Sequence, residues 1–190
     1  RKIIREELEL KNKIAFVYCG SYRTYQLIDK TLELYSSINK KIPNTKLFIF
    51  TNNQDEIKRE IELINLPIEN YRLMSLERTE VDTYLNAMDF SLLLRDNSIL
   101  NIVSSPTKFP EYLINGLPVI TTDYVGDYSE QVRKHKLGYV LSDYLCDNNL
   151  IDFIIKTNAN KRIVNQKCKN FANSTLIWDN AIDTYEELFK

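Results

Sequence analysis

The sequence predicts an α/β protein: one three-layer α/β/α domain over residues 1–190, with a parallel sheet of about six strands and extra helices at its C-terminal end. Three observations carry this expectation. Short apolar runs rich in β-branched and aromatic residues alternate with longer amphipathic stretches, the pattern of a parallel sheet covered on both faces. After Leu141 the strand-like runs stop and the pattern turns wholly helical. Glycine is scarce, four residues against an average usage of about 7%, and Gly20, Gly116 and Gly138 stand where predicted elements begin or end.

The elements follow in order. KIAFVYCG (13–20) is the first strand, closed by Gly20, and the helix over 24–40 comes next. TKLFIFT (45–51) and YRLMSL (71–76) are the second and third strands, followed by helices over 54–65 and 79–87. FSLLLR (90–95) is the fourth. The helix over 107–115 has Thr107 as a plausible N-cap and Pro110 in its first turn, where a missing N–H costs little. It stops at Gly116, a C′ residue with Pro118 just beyond. PVITTD (118–123), a helix over 127–136 and GYVL (138–141) complete the sheet, and helices over roughly 147–157, 160–173 and 178–189 close the chain. Phe16, Phe48, Phe50 and Phe90 fall at core spacing, Tyr112 is assigned to packing, and His135 to an exposed helix surface.

Charge and composition narrow the function classes. Lys plus Arg number 25 against 26 Asp plus Glu, so there is no electrostatic case for a nucleic-acid partner. Cys19, Cys146 and Cys168 are odd in number and irregularly spaced, with one histidine to help them, which argues against a metal site and for reduced thiols of a cytoplasmic protein. No apolar run approaches the roughly 18 residues of a membrane span. The chain begins without Met and reads as a piece of a longer protein.

In open parallel sheets ligands bind beyond the carboxyl ends of the strands, so the loops there are where chemistry is sought. The first, CGSYRTYQ, lacks GxGxxG but sets Gly20, Ser21 and Arg23 before a helix, where N–H groups and a guanidinium suit a phosphate; the alternative is that Arg23 is a solvated turn residue. The loop after strand four, RDNSILNIVSSPTKFPEYLING, opens with Arg95 and leads to a helix whose first-turn N–H groups would form an anion site beside Lys108. Glu111, one turn in, suits sugar hydroxyls as an acceptor. The pair fits a group bearing phosphate and ribose, or else merely favours the helix end and each other.

The run PTKFPEYLINGLPVITTDYVGDYSEQV resembles the nucleotide-sugar-binding signature of family 4 glycosyltransferases, retaining enzymes of the GT-B architecture with two Rossmann-like domains. STLIWDNAIDTYEELF resembles their terminal helix. The resemblance implies a Rossmann-like donor-binding domain, a nucleoside-diphosphate sugar as ligand, and an N-terminal acceptor-binding domain absent from this chain; with no Asp-x-Asp motif to hold a divalent ion under a diphosphate, binding is expected to need no metal or other cofactor. It assigns the ribose hydroxyls to Glu111 and the diphosphate to backbone N–H groups around Ser105 to Thr107, faced by Ser21 and Arg23, with Arg95 at the phosphate or sugar. It sets the base near Ser75, Leu76 and Glu77, through backbone contacts. Two departures stand out: Val103 occupies the position, eight before Glu111, of a sugar-contacting Glu, and the usual first-loop Lys is absent unless Lys30 or Lys108 substitutes. A non-catalytic nucleotide- or partner-binding module and half of a GT-B-like sugar-nucleotide epimerase remain as alternatives. Any membrane contact is expected through the missing N-terminal half.

Overall fold

A computed structural model of the chain describes residues 1–177. The expected helix over 178–189 lies outside the described residues. Six parallel strands form one sheet: β1 (Ile14–Cys19), β2 (Thr45–Phe50), β3 (Tyr71–Met74), β4 (Phe90–Leu93), β5 (Val119–Thr121) and β6 (Gly138–Val140), in the order β3-β2-β1-β4-β5-β6. Eight of the helices lie between or after them in sequence: α2 (Ile28–Lys41), α3 (Gln54–Leu63), α4 (Arg78–Leu85), α5 (Ile99–Ile102), α6 (Lys108–Ile114), α7 (Tyr128–His135), α8 (Asn148–Ala159) and α9 (Lys161–Phe171), with α1 (Lys2–Glu7) ahead of β1.

The period of two along each strand divides the core. Ala15, Val17 and Cys19 face one side with Leu85 of α4, Phe109 and Tyr112 of α6 and Cys168 of α9. Phe16 and Tyr18 face the other with Leu32 and Tyr35 of α2, Ile57 of α3 and Ile154 of α8. Both faces are therefore sealed, which is why these strands read as continuous apolar runs rather than as alternating ones.

Three expectations are refined. The helix expected over 24–40 is a 3₁₀ turn, Thr24–Gln26, then a break at Leu27 (φ 47°, ψ 51°), then α2, whose start is tied by Thr31 Oγ1 donating to the Leu27 carbonyl at 2.8 Å. The helix α1 was not expected. Its Arg5 donates to Asp89 Oδ2 at 2.9 Å and to the carbonyls of Ala87 and Lys13 at 2.7 Å, so distant partners hold six residues that local propensity would not. His135 is half-buried rather than exposed, its ring centroid 4.7 Å from that of Phe171.

Gly116 has φ 77° at the end of α6, as its C′ role requires. Gly126, unassigned from the sequence, has φ 58°, and a Cβ there would lie 2.3 Å from the Ser104 carbonyl oxygen. It lets the loop after β5 press against the loop after β4.

Candidate functional site

Strand order reverses between β1 and β4, and their pairing covers only Phe16–Val17 with Phe90–Ser91. Beyond it the two chains part, and a crevice opens at the carboxyl end of the sheet. Two cavities share its floor of Cys19, Gly20, Ser21 and Lys108. One, about 420 Å³, is bounded by Tyr25, Gln26, Arg95 and the 100–107 loop; the other, about 360 Å³, by Phe50, Thr51, Asn52, Leu76 and Val81. A larger hollow of about 1030 Å³ lies at the opposite end of β1, against α1. Its arginines are already committed to Asp89, so it is a less promising site than the crevice.

Arg95 dominates the first cavity. It is 7% exposed, its Nη1 donates to the Leu94 carbonyl at 2.9 Å, and its guanidinium carbon stands 5.8 Å from the centre of the Tyr25 ring. Among the described residues no carboxylate lies within ion-pairing distance of it. Burial pulls its pKa down, opposed in part by Tyr18, Tyr112, Tyr25 and the neighbouring Asp96. The backbone around it is fixed by Thr122, whose Oγ1 accepts from Arg95 N at 3.0 Å and donates to Arg95 O at 2.8 Å. A cation buried and held this firmly, with no ion-pair partner among the described residues, is a candidate position for an anion.

The second group centres on Glu111. Lys108 Nζ donates to its Oε2 at 2.8 Å and Arg78 Nη1 to its Oε1 at 3.0 Å. Burial pulls the Lys108 pKa down, but the neighbouring Cys19 and Glu111 more than offset this and leave it raised. Burial pushes the Cys19 thiol up despite Lys108. Asn115, 5% exposed, donates to the Glu111 carbonyl and to Asp82 Oδ1 at 2.9 Å each, locking α6 to α4. Tyr112 is fully buried, its hydroxyl accepting from Cys19 N at 2.9 Å, so it packs and also ties α6 to β1.

Residues 1–175 match the sequence model of the family described as Glycosyl transferases group 1. The chain belongs to that family. Solved structures share its fold. WaaG, a glycosyltransferase involved in lipopolysaccharide biosynthesis, matches at 18% identity and TM-score 0.71 over 92% of this chain and 47% of its own. HepE from Anabaena, in complex with UDP-glucose, matches at 13% identity and TM-score 0.72 over 99% and 51%. The C-terminal domain of the group 1 protein LpcC from Francisella tularensis matches at 12% and TM-score 0.67 over 93% and 92%. No relative was found among the curated proteins. The chain thus spans about half the length of WaaG and HepE but nearly all of the LpcC C-terminal domain, as expected for the C-terminal domain of a GT-B protein.

On this glycosyltransferase fold the expected residues separate into two groups. Gly20, Ser21, Arg95, Thr107 and Lys108 line the crevice, Leu76 lines its second cavity, and Glu111 meets it through Lys108. Arg23 is exposed and lines neither cavity; Tyr25 and Gln26 stand where it was expected. Ser105 turns its hydroxyl to Tyr128, at 2.7 Å. Ser75 Oγ donates to Asn52 Oδ1 at 2.6 Å, and Glu77 N donates to Glu80 Oε2 at 2.9 Å in starting α4, so both have local structural partners.

The α6 start also differs from expectation. Thr107 holds the N-cap position but is itself helical (φ −59°, ψ −21°), makes no side-chain cap bond, and α6 is only seven residues long. Phe109 N donates to the Pro106 carbonyl at 3.1 Å, and proline 110 has no N–H to offer. The positive charge at this site therefore comes from side chains more than from a free helix end. Sequence reading missed Arg78, although an arginine in the first turn of α4, where the helix dipole disfavours a cation, was a usable signal.

Proposed function

We propose that this chain is the donor-binding half of a retaining, metal-independent glycosyltransferase, which carries a nucleoside-diphosphate sugar across the β1–β4 crevice for transfer to a glycan, lipid or other acceptor. The observation that carries the reading is Arg95: a guanidinium nine-tenths buried, with no carboxylate in ion-pairing distance among the described residues, facing a cavity that Ser21 and Lys108 also line. A diphosphate supplies the missing charge. Glu111 then accepts from the ribose hydroxyls, and the cavity beside Leu76 takes the base. The HepE structure in complex with UDP-glucose and a matched C-terminal CMP-Kdo binding domain of WaaA support a sugar nucleotide as the ligand class. An N-terminal half of the same protein would supply the acceptor side.

The same reading puts the protein in the cytoplasm, with any membrane contact made through its N-terminal half. Among the described residues no helix is long and apolar enough to cross a membrane.

Titration calorimetry of the chain with UDP, GDP, CDP and ADP, each with and without EDTA, tests the proposal. One nucleotide should bind, and EDTA should leave its affinity unchanged. Binding that collapses in EDTA would overturn the metal-independent reading, and silence from all four would overturn the nucleotide site. Val103 favours a second reading, because an exposed valine stands where the family resemblance expects a sugar-contacting carboxylate. A nucleotide that binds equally well with and without its sugar would favour a non-catalytic module.

A further inference from the structure

The end of α7 and one face of α9 enclose a hollow of about 540 Å³ that nucleotide binding does not use. Lys134 and Lys136 line it from the α7 side and Lys167 and Asn170 from α9, beside the half-buried rings of His135 and Phe171. No carboxylate lines it, and among the described residues none of the three lysines is ion-paired. Its place in the fold separates it from the candidate site. Lys136 leads through Leu137 into Gly138, the first residue of β6, so the hollow lies at the amino end of the parallel sheet and the β1–β4 crevice at the carboxyl end.

An ordinary reason accounts for part of this charge. Cations favour a helix C-terminus by about 0.3–1 kcal/mol, which explains Arg133 and Lys134 in the last turn of α7, and Arg133 is already engaged by Asp123. That reason does not reach Lys136 or Lys167. Lys136 lies past the helix end in the left-handed region (φ 50°, ψ 51°), where glycine fits freely and a side chain costs about 1–2 kcal/mol. Lys167 belongs to α9, whose sequence KRIVNQKCKNF holds Lys161, Arg162, Lys167 and Lys169 and no acid, whereas a solvated helix usually intersperses the two signs.

Two further features favour a ligand. Asn170 Oδ1 accepts from Gln166 Nε2 at 2.8 Å, which occupies the end of the amide that would repel an anion and leaves the N–H end to donate. After α9 the helix widens into a π-helical turn, Ala172–Leu176, whose Ser174 also lines the hollow; such turns are rare and frequent at functional sites.

We propose that this hollow is a second anion site, for a small, multiply phosphorylated compound whose charge is met by Lys134, Lys136 and Lys167, with Asn170 as a neutral donor. It stands independently of the donor site. Three lysines exceed what a single phosphate group neutralises, and the volume is that of a small-ligand site.

Inorganic tripolyphosphate is the probe, titrated into the whole chain at about 0.1 M salt, where charges more than about 10 Å away are screened. Backbone amide shifts report the binding residue by residue. Those of Leu137, Gly138 and Asn170 should move saturably. Lys134→Ser/Lys167→Ser should keep its Tm and weaken this binding by about tenfold or more, the effect of losing two charge contacts of about 1 kcal/mol each. Lys136→Gly should weaken it too, yet hold or raise Tm because glycine relieves the left-handed turn; a lysine kept for structure alone would not move the binding. Lys156→Ser/Arg162→Ser, which removes equal charge outside the hollow, should leave it unchanged.

Unmoved amides at the hollow, with or without shifts around Arg95 and Lys108, would overturn the proposal. Equal weakening by the control pair would reduce the hollow to diffuse charge. Phosphatidylglycerol vesicles that broaden these amides when tripolyphosphate leaves them unmoved would assign the lysines to a membrane surface. Either result also overturns it.

Discussion

Lys108 Nζ lies 2.8 Å from Glu111 Oε2 while Arg78 Nη1 lies 3.0 Å from Oε1, so both oxygens of the Glu111 carboxylate are held by cations before any ligand arrives. Exposed ion pairs contribute about 0–1 kcal/mol. Here the Glu111 and Lys108 side chains are 18% and 25% exposed, and Arg78 is largely in solvent, so the inner pair is the firmer of the two. A ribose that takes one oxygen would displace Arg78 more readily than Lys108, and Lys108 would stay beside the diphosphate.

Glu111→Gln should weaken nucleoside-diphosphate binding by roughly tenfold or more, because charge-assisted hydrogen bonds contribute about 1.5–3 kcal/mol. Lys108→Met should weaken the diphosphate more than the bare nucleoside, since only the former carries the charge it meets. Calorimetry with UDP and uridine, or the base that binds, checks both. An unchanged affinity in Glu111→Gln with a much lower Tm would show that the pair serves only the helix.

Arg95→Met should separate stability from binding. The guanidinium is buried with no ion-paired carboxylate among the described residues, so its replacement by an apolar chain should hold Tm or raise it, at about 2–4 °C per kcal/mol for a domain of this size. Diphosphate affinity should fall by about tenfold or more. A lower Tm with unaltered affinity would make Arg95 a structural residue.

Gly126→Ala should damage both the fold and the site. The left-handed conformation costs an L-residue about 1–2 kcal/mol, and the added Cβ would meet the Ser104 carbonyl at 2.3 Å. Ser104 lines the Arg95 cavity, so a fall in Tm of several degrees should accompany weaker nucleotide binding.

Asp123 and Arg133 give a pH test. The two-pronged hydrogen bond from Arg133 holds the Asp123 carboxyl below its ordinary value. A lowered carboxyl pKa stabilises the fold above the unfolded value of about 3.9 and loses that contribution as pH falls through the folded one. Asp123→Asn should therefore lower Tm only slightly at pH 7, since so exposed a pair contributes no more than about 1 kcal/mol. The gap from the parent should close below pH 3.9 or so in a series of melts. A gap that persists in acid would mean the carboxylate charge is not what stabilises.

The sequence by itself determined the layered α/β fold, because apolar runs of strand length separated by amphipathic helices have few other ways to bury both sheet faces. It also determined the family, through the segment around Lys108, Glu111, Gly116 and Pro118, where helix, stop and strand follow one another within a few residues. These are local signals. Only the tertiary structure decided which residues meet. Arg78 reaches Glu111 across 33 positions, Tyr112 reaches Cys19 across 93, and Gly126 fits beneath Ser104, none of which any local period can reveal. It also decided that Tyr25 and Gln26, rather than Arg23, line the first cavity, because the chain breaks at Leu27 instead of running helical from Thr24. The outward face of α5 was hidden for the same reason: four residues carry too little period to read, and only burial shows that their one polar member is the one turned inward.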